Sequence, residues 1–462
     1  MATKQNISVP TDVEVKQAPL SAEQQQWLEA AYAQVSEDRM REFCVEVVSL
    51  HSPTGFERDA SEWMADQMKA LGMDAFYQPM DDNSGNAVGY YRGTGDGPHM
   101  LLYAPIDTHL DIVEEYDLPW AGPEFREDML PQGHIDEHGN VIGLGSNNPK
   151  GMVTAIWGAL DAITRAGVPL KGTIVAGFAG GGMPVKAPPN SPTENAGLGS
   201  GVSYMLNHGV SADFGIISKP GYAVAWEEVG LCWFKVTVGR GYIGYAGRPH
   251  DVPEYKNTIL EAAKVTLELE EWLQEYSKAN TSGLCTPWGA VSVVRGGWPH
   301  KPSFPPAATE LLMDVRVNPR SSTADVKEQF ARAIEDIQAR HPEMHLEWEM
   351  FGSYPGASTD PEHWVIQSAM RGWEHVEGQT HHARVGTSGQ TDASAIRNLG
   401  VPMARVGQPA ALNVPAEWVN GLGGMGVAHI PHLADVAKIL IYAVIDSCMR
   451  TRAEVGLGEA AP

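Results

Sequence analysis

Two short runs carry almost unbroken apolar residues: HMLLYAPID at 99–107 and TIVAGFA at 173–179. Runs of this length and texture predict strands buried on both faces. Between them, MVTAIWGALDAITRAG at 152–167 reads as a helix stopped by Gly167. Upstream, Ser21-x-x-Gln24 predicts a capping box opening a helix that runs to about Leu50. SEWMADQMKALG at 61–72 is amphipathic and ends on glycine, as a helix would. Strands alternating with helices predict an α/β protein whose mixed, largely parallel sheet is sandwiched by helices.

The texture then changes. LCWFKVTVGR at 231–240 is a two-sided strand, and residues 257–279 form a long amphipathic helix. AVSVVRGG, ELLMDVRV and HLEWEMFG supply further strands, with a helix at about 323–340. This β-α-β-β-α-β order predicts a ferredoxin-like α+β module inserted into the main domain. The expected boundaries are 1–225, 226–350 and 351–462. IRNLGVPMARVG at 396–407 and LADVAKILIYAVIDSCMR at 433–450 return to the first domain. PVKAPPNSPTENAGLG at 184–199 is a loop long enough to suggest a functional or variable insertion.

Composition narrows the role. Among 462 residues, 33 Lys and Arg face 57 Asp and Glu, and 33 − 57 gives a net charge of −24. That sign repels phosphate backbones and argues against nucleic acid. No stretch reads as a signal peptide or a membrane span. Cys44, Cys232, Cys285 and Cys448 form no CxxC pair and read as buried thiols. A soluble cytoplasmic protein acting on a small molecule is expected.

Candidate chemistry begins at His109-Leu110-Asp111, following the 99–107 strand. A histidine held by a nearby carboxylate is a typical metal ligand, though a structural His–Asp pair is the commoner reading of the triplet alone. Four later motifs add to it: GLGSNNPKG at 143–151, DFGIISKPG at 213–221, SGQTDASAIRNLGVP at 388–402 and GVAHIPH at 426–432. In this order and spacing, from about residue 40 to 450, the chain resembles the M20 family of metallopeptidases, aminoacylases and amidohydrolases. The resemblance implies a zinc-exopeptidase-like fold and a homodimer formed through the inserted module. It also implies two zinc ions, held by histidines and carboxylates, that activate water against an amide carbon.

Taken residue by residue, the resemblance makes His109 the first histidine ligand, Asp111 its orienting partner and His429 the last histidine. Asn148 stands where the bridging Asp belongs, and Lys219 where another acid belongs. No acid follows the 173–179 strand, where the chain reads GGGMP. If the Pro-rich loop is an insertion, Glu194 takes the place of the general base and Asn195 that of a ligand. Both histidines are thus kept while the acidic ligands are neutral or basic. An amide is a poor ligand for zinc, and an ammonium ligates nothing while protonated. An ammonium in that place can instead stabilise an oxyanion. A decayed site is the blander alternative. The family's bridging Asp precedes a cis peptide, and Asn148–Pro149 is expected to be cis. In the inserted module the resemblance puts Tyr245 at an oxyanion-donor position, with His250 competing. It also makes Arg316 a carboxylate grip, a surface ion pair being an equal alternative.

The resulting expectation is a hydrolase of the C–N bond in a small polar or carboxylate-bearing substrate, working without a metal cofactor. His109 is the expected base and Glu194 the alternative. Lys219 and Tyr245 hold the oxyanion, and Asn148, Asn195, Arg316 and His429 line the substrate site. Three alternatives stay open. One is a single Zn²⁺ or Mn²⁺ on His109 and His429, with a carboxylate from Asp111, Asp107 or Glu194. The others are a lyase-type reaction and a non-catalytic binding protein. Glu227–Glu228 read as solvated or hinge, His381–His382 as loop, His134 and His138 as a turn, and Asp392 as a loop anchor.

Overall fold

A computed structural model describes residues 11–186, 196–247, 256–418 and 425–458. The chain forms two compact units. The larger holds Asp12–Trp226, Thr359–Arg384 and Thr391–Pro462, and the smaller holds Glu227–Ser358 with Val385–Gln390.

The larger unit is built on a six-stranded sheet. Its strands run, side by side, Asp74–Pro79, Gly85–Arg92, Thr173–Ala179, His99–Pro105, Phe214–Ser218 and Met403–Val406. The last four are mutually parallel, and the first two join antiparallel. The parallel strands are almost fully buried, as their continuous apolar runs require. Helices Lys150–Ala166 and Ile430–Cys448 supply much of the covering core. The first ends on Gly167 in the left-handed conformation, the stop expected from the sequence.

One helix differs from expectation. The Ser21 capping box is present, but the segment to Leu50 is two helices, Ala22–Tyr32 and Glu37–Ser49. Ser36 accepts from Arg39 N and restarts the helix, with Glu37 and Asp38 in its first turn.

The smaller unit has a four-stranded antiparallel sheet ordered Gly289–Arg295, Thr309–Val317, Gly230–Val238 and Leu346–Tyr354. Helices Thr258–Asn280 and Thr323–Arg340 pack their apolar residues against it. This is the ferredoxin-like arrangement. Glu227 and Glu228 are not solvated: each is only 1% exposed. Glu227 accepts from Leu284 N and from Arg320, because a buried carboxylate needs donors to offset lost hydration.

Candidate active site

The parallel strands of the larger unit end at one edge of the sheet, where α/β proteins gather ligand-binding loops. Asp107 and His109 follow the 99–105 strand, Gly180–Met183 follows 173–179, Lys219 follows 214–218, and Gly407–Gln408 follows 403–406.

Lys219 Nζ donates to Asn148 Oδ1 at 2.9 Å. The two residues standing at acidic positions of the resembled family are therefore partners. The Asn148–Pro149 bond is cis, as expected. Asn147 N and Asn148 N both donate to Met425 O, at 2.9 and 3.4 Å. Asn147 Oδ1 also accepts from Gln408 Nε2. Lys219 N donates to Val406 O at 3.1 Å. Gly407 backs onto the Lys219 carbonyl so closely that any side chain there would collide with it.

His429 comes to this region through the Val427–Ala428 strand, which pairs with Val141–Ile142. Its Nδ1–H donates to Asn140 Oδ1 at 3.0 Å, which leaves Nε2 as the acceptor nitrogen. Asn140 is itself fixed by both carboxylate oxygens of Asp136. The IDEHGN turn thus orients His429, a role not read from the sequence. His138 lies in that exposed turn, as expected, while His134 is in the short strand His134–Ile135 that leads into it.

His109 lies against Trp120, ring centroids 6.0 Å apart. Its Nδ1 is buried and has no hydrogen-bond partner. Asp111 does not hydrogen-bond to it, so the expected orienting pair is absent. The chain turns right after Asp111, with Ile112 in the left-handed region at φ 59°. Asp111 is half-exposed near His51 and Asp117, and its carboxyl is raised chiefly by burial. Burial also pushes His109 down to about 4, against the opposing pull of Asp117 and Asp128. The ring is therefore neutral at ordinary pH.

The glycine loop explains the missing acids after the 173–179 strand. Its N–H groups serve carboxylates that come from elsewhere in the chain. Asp107 accepts from Gly182 N and Met183 N, both at 2.9 Å, and from Thr54 Oγ1 at 2.7 Å. Glu57 Oε1 accepts from Gly55 N and Gly181 N, both at 2.8 Å. A Cβ on Gly182 would lie 2.6 Å from Pro105 Cβ and 2.7 Å from Asp392 Oδ2. Only glycine admits this approach, and Gly181 adopts φ 63°. Burial and then Asp107 raise Glu57 to about 7. Burial also raises Asp107, while Thr54, the two loop N–H groups and Lys219 oppose it. Lys150 is fully buried, donates to Leu50 O and is lowered to about 7 by burial, with Cys44 and Asp107 opposing. Asp392 is a loop anchor as expected, accepting from Tyr103 Oη at 2.6 Å.

Glu57 and Lys150 were missed by sequence reasoning. Three glycines directly after a buried strand were the available signal, since they imply a close backbone approach. His381 is also more than loop: it is buried, and its Nε2 accepts from Val224 N at 2.9 Å.

Tyr245 and Arg316 belong to the smaller unit. Tyr245 is exposed and packs beside Phe304, ring centroids 5.6 Å apart. Arg316 pairs with Asp314 at 2.8 Å, the ion-pair alternative. Glu194, Asn195 and His250 lie outside the described residues.

These residues do not fit a two-metal site. Where the resemblance expects a bridging carboxylate and a second acid, Asn148 offers an amide oxygen and Lys219 donates to it. Among the described residues no three His, Cys, Asp or Glu side chains form a metal cage. His109 Nδ1 and His429 Nε2 are the ring nitrogens left as candidate donors.

No family model matches the chain. Solved structures share its fold. An M20 family metallo-carboxypeptidase from Sulfolobus solfataricus superposes with a TM-score of 0.61 at 14% identity, covering 89% of this chain and 99% of that one. The chain therefore has the fold of the M20 metallopeptidases and amidohydrolases. By sequence, it is 24% identical over 164 residues to a LysW-lysine/LysW-ornithine hydrolase of Pyrococcus abyssi, covering 31% of this chain and 47% of the relative. It is 26% identical over 336 residues to a succinyl-diaminopimelate desuccinylase of Pseudomonas syringae pv. syringae, covering 68% and 76%. The matches to the archaeal relatives span about half of their length. Among the described residues no helix is long and apolar enough to cross a membrane.

Proposed function

We propose that the protein hydrolyses a C–N bond of amide type in a small polar or carboxylate-bearing molecule, without a metal cofactor. The contact of Lys219 Nζ with Asn148 Oδ1 carries this reading. It joins the two residues that stand, by the resemblance, where the family holds acidic metal ligands. An ammonium can bind the substrate carbonyl oxygen and stabilise it as charge develops. Neutral His109 is the proposed base that takes the proton of the attacking water. The tetrahedral intermediate then collapses, the C–N bond breaks, and the proton passes to the leaving nitrogen. At about 4, His109 is a weak base. The growing negative charge on the intermediate raises its basicity during the step. Asn148 and His429 are proposed substrate contacts.

The hydrolase and desuccinylase names of the sequence relatives support C–N bond hydrolysis. The test is amine release from a panel of N-acyl, N-carbamoyl and dipeptide substrates by chelator-treated protein. Turnover that survives chelation supports the reading. Turnover that needs one equivalent of Zn²⁺ or Mn²⁺ sinks it in favour of a single metal on His109 and His429. Ligand stabilisation with no turnover across the panel favours a binding protein.

The smaller unit is proposed to form a homodimer. Its edge strand Gly289–Arg295 has Val294 62% exposed, and helix Thr258–Asn280 has Leu267 69% exposed. An unpaired edge with exposed apolar side chains is a template for a second copy.

A further inference from the structure

The smaller unit holds a cavity of ≈ 220 Å³ that plays no part in the proposed hydrolysis, walled by Arg240, Tyr242, Lys256, Glu261, Glu343 and His345, among others. We propose that it binds a small zwitterionic α-amino acid, with Glu261 receiving the ammonium and Arg240 the carboxylate. The proposal goes beyond the hydrolase reading and does not depend on it.

Glu261 carries the argument. It stands in the first turn of helix Thr258–Asn280, where an acid suits the positive end of the helix dipole. An exposed side chain would serve the dipole equally, yet Glu261 is only 6% exposed. Burying a carboxyl is costly unless donors replace the lost water. Glu227 and Asp107 are given such donors by the fold. Glu261 accepts no hydrogen bond from any described group. Its oxygens are not sealed inside the protein but stay open to the cavity that the residue lines. Burial raises the carboxyl, and Lys256 is the first charge opposing that shift. A buried, accessible acceptor without a donor is what a protonated amine completes.

The remaining walls bring the opposite charge. Arg240 and Lys256 are exposed, and neither makes a hydrogen bond or ion pair through its side chain. A guanidinium offers a planar fork that matches a carboxylate. Glu343 adds a second acid, while His345 is held by Glu347 at 3.1 Å. Two acids and two unpaired bases thus share one small space. A lone cation there would meet Arg240 and Lys256, and a lone anion would meet Glu261 and Glu343. A zwitterion matches both pairs. The volume is that of about seven waters in the liquid, which suits a small solute. The walls are tied to one another, since Gly239 N donates to His345 O at 3.0 Å and Thr258 Oγ1 to Pro306 O at 3.1 Å.

The test uses the full chain, isothermal calorimetry and thermal melting at pH 7. The probes are L-alanine, its amide as a cation without the carboxylate, and propionate as an anion without the amine. Sodium chloride holds the ionic strength equal. The expected result is saturable one-to-one binding of alanine with a raised Tm, and at least tenfold weaker binding of each half-charged probe. Glu261→Gln and Arg240→Gln should each weaken alanine at least tenfold. The exposed Arg240→Gln should keep the ligand-free Tm of the parent, so its loss of binding cannot come from misfolding. Lys219→Met should bind alanine as the parent does. Equal binding of the three probes, unchanged binding in both cavity variants, loss of binding in Lys219→Met, or no saturable binding at tens of millimolar would overturn the proposal. None of these results requires turnover, so failure here leaves the hydrolase reading to its own tests.

Discussion

Lys219 Nζ and Asn148 Oδ1 lie 2.9 Å apart, joining the loop after the 214–218 strand to the start of helix Lys150–Ala166. If this ammonium holds the oxyanion, Lys219→Met should lower kcat by about 10²- to 10³-fold while KM changes less. Steady-state rates on whichever panel substrate turns over decide it. A fall confined to KM would make Lys219 a binding residue only.

The same contact predicts what would favour a metal. Asn148→Asp combined with Lys219→Glu replaces an amide and an ammonium by two carboxylates at this contact. The double variant should bind Zn²⁺ at least tenfold more tightly than the parent, measured by calorimetry. Equal affinity would mean that the histidines are not aimed at this space.

His109 gives a pH signature. Its folded value of about 4 lies below the ordinary 6.5, so the neutral ring persists through the mildly acidic range. The acid limb of kcat/KM should fall toward pH 4 rather than at 6.5. His109→Ala should cost about 10²- to 10⁴-fold in kcat. An unchanged rate would remove His109 from the mechanism.

Glu57 predicts a stability trend of unusual sign. Its folded value of about 7 exceeds the ordinary 4.5. Between these values the folded state holds a proton that the unfolded state has lost. Its contribution to stability is therefore full below 4.5, falls as pH rises, and is gone above about 7. Glu57→Gln should be the more stable protein at pH 8, by on the order of 1 to 3 kcal/mol, with the gap closing toward pH 4.5. Chemical denaturation at several pH values checks this, and a constant gap would refute the burial of a protonated acid.

Gly407→Ala tests the packing behind the site. A methyl group there collides with the carbonyl of Lys219. The strand end must shift, at a cost of about 1 to 3 kcal/mol, and Lys219 moves with it. Both Tm and kcat should drop. A loss of stability with full activity would mean that the Lys219 side chain holds its place independently of its backbone.

Much of the fold was legible along the chain because it rests on periodicity. The continuous runs at 99–107 and 173–179 fixed buried parallel strands, and the β-α-β-β-α-β order fixed the ferredoxin-like sheet. The break between Tyr32 and Glu37 was not legible, because Ser36 caps a helix inside a segment that still reads as helical.

The site divides in the same way. His109, Asn148, Lys219 and His429 are visible as residue types in ordered motifs, and the resemblance puts Asn148 and Lys219 where acids are expected. Which groups pair with which depends on chain segments tens to hundreds of residues apart. Hydrogen bonds act over about 3 Å, and only the folded chain sets such distances. Tertiary structure joined Lys219 to Asn148, separated Asp111 from His109, and gave His429 to Asn140. It also brought Glu57 and Asp107 to a glycine loop whose own sequence contains no acid.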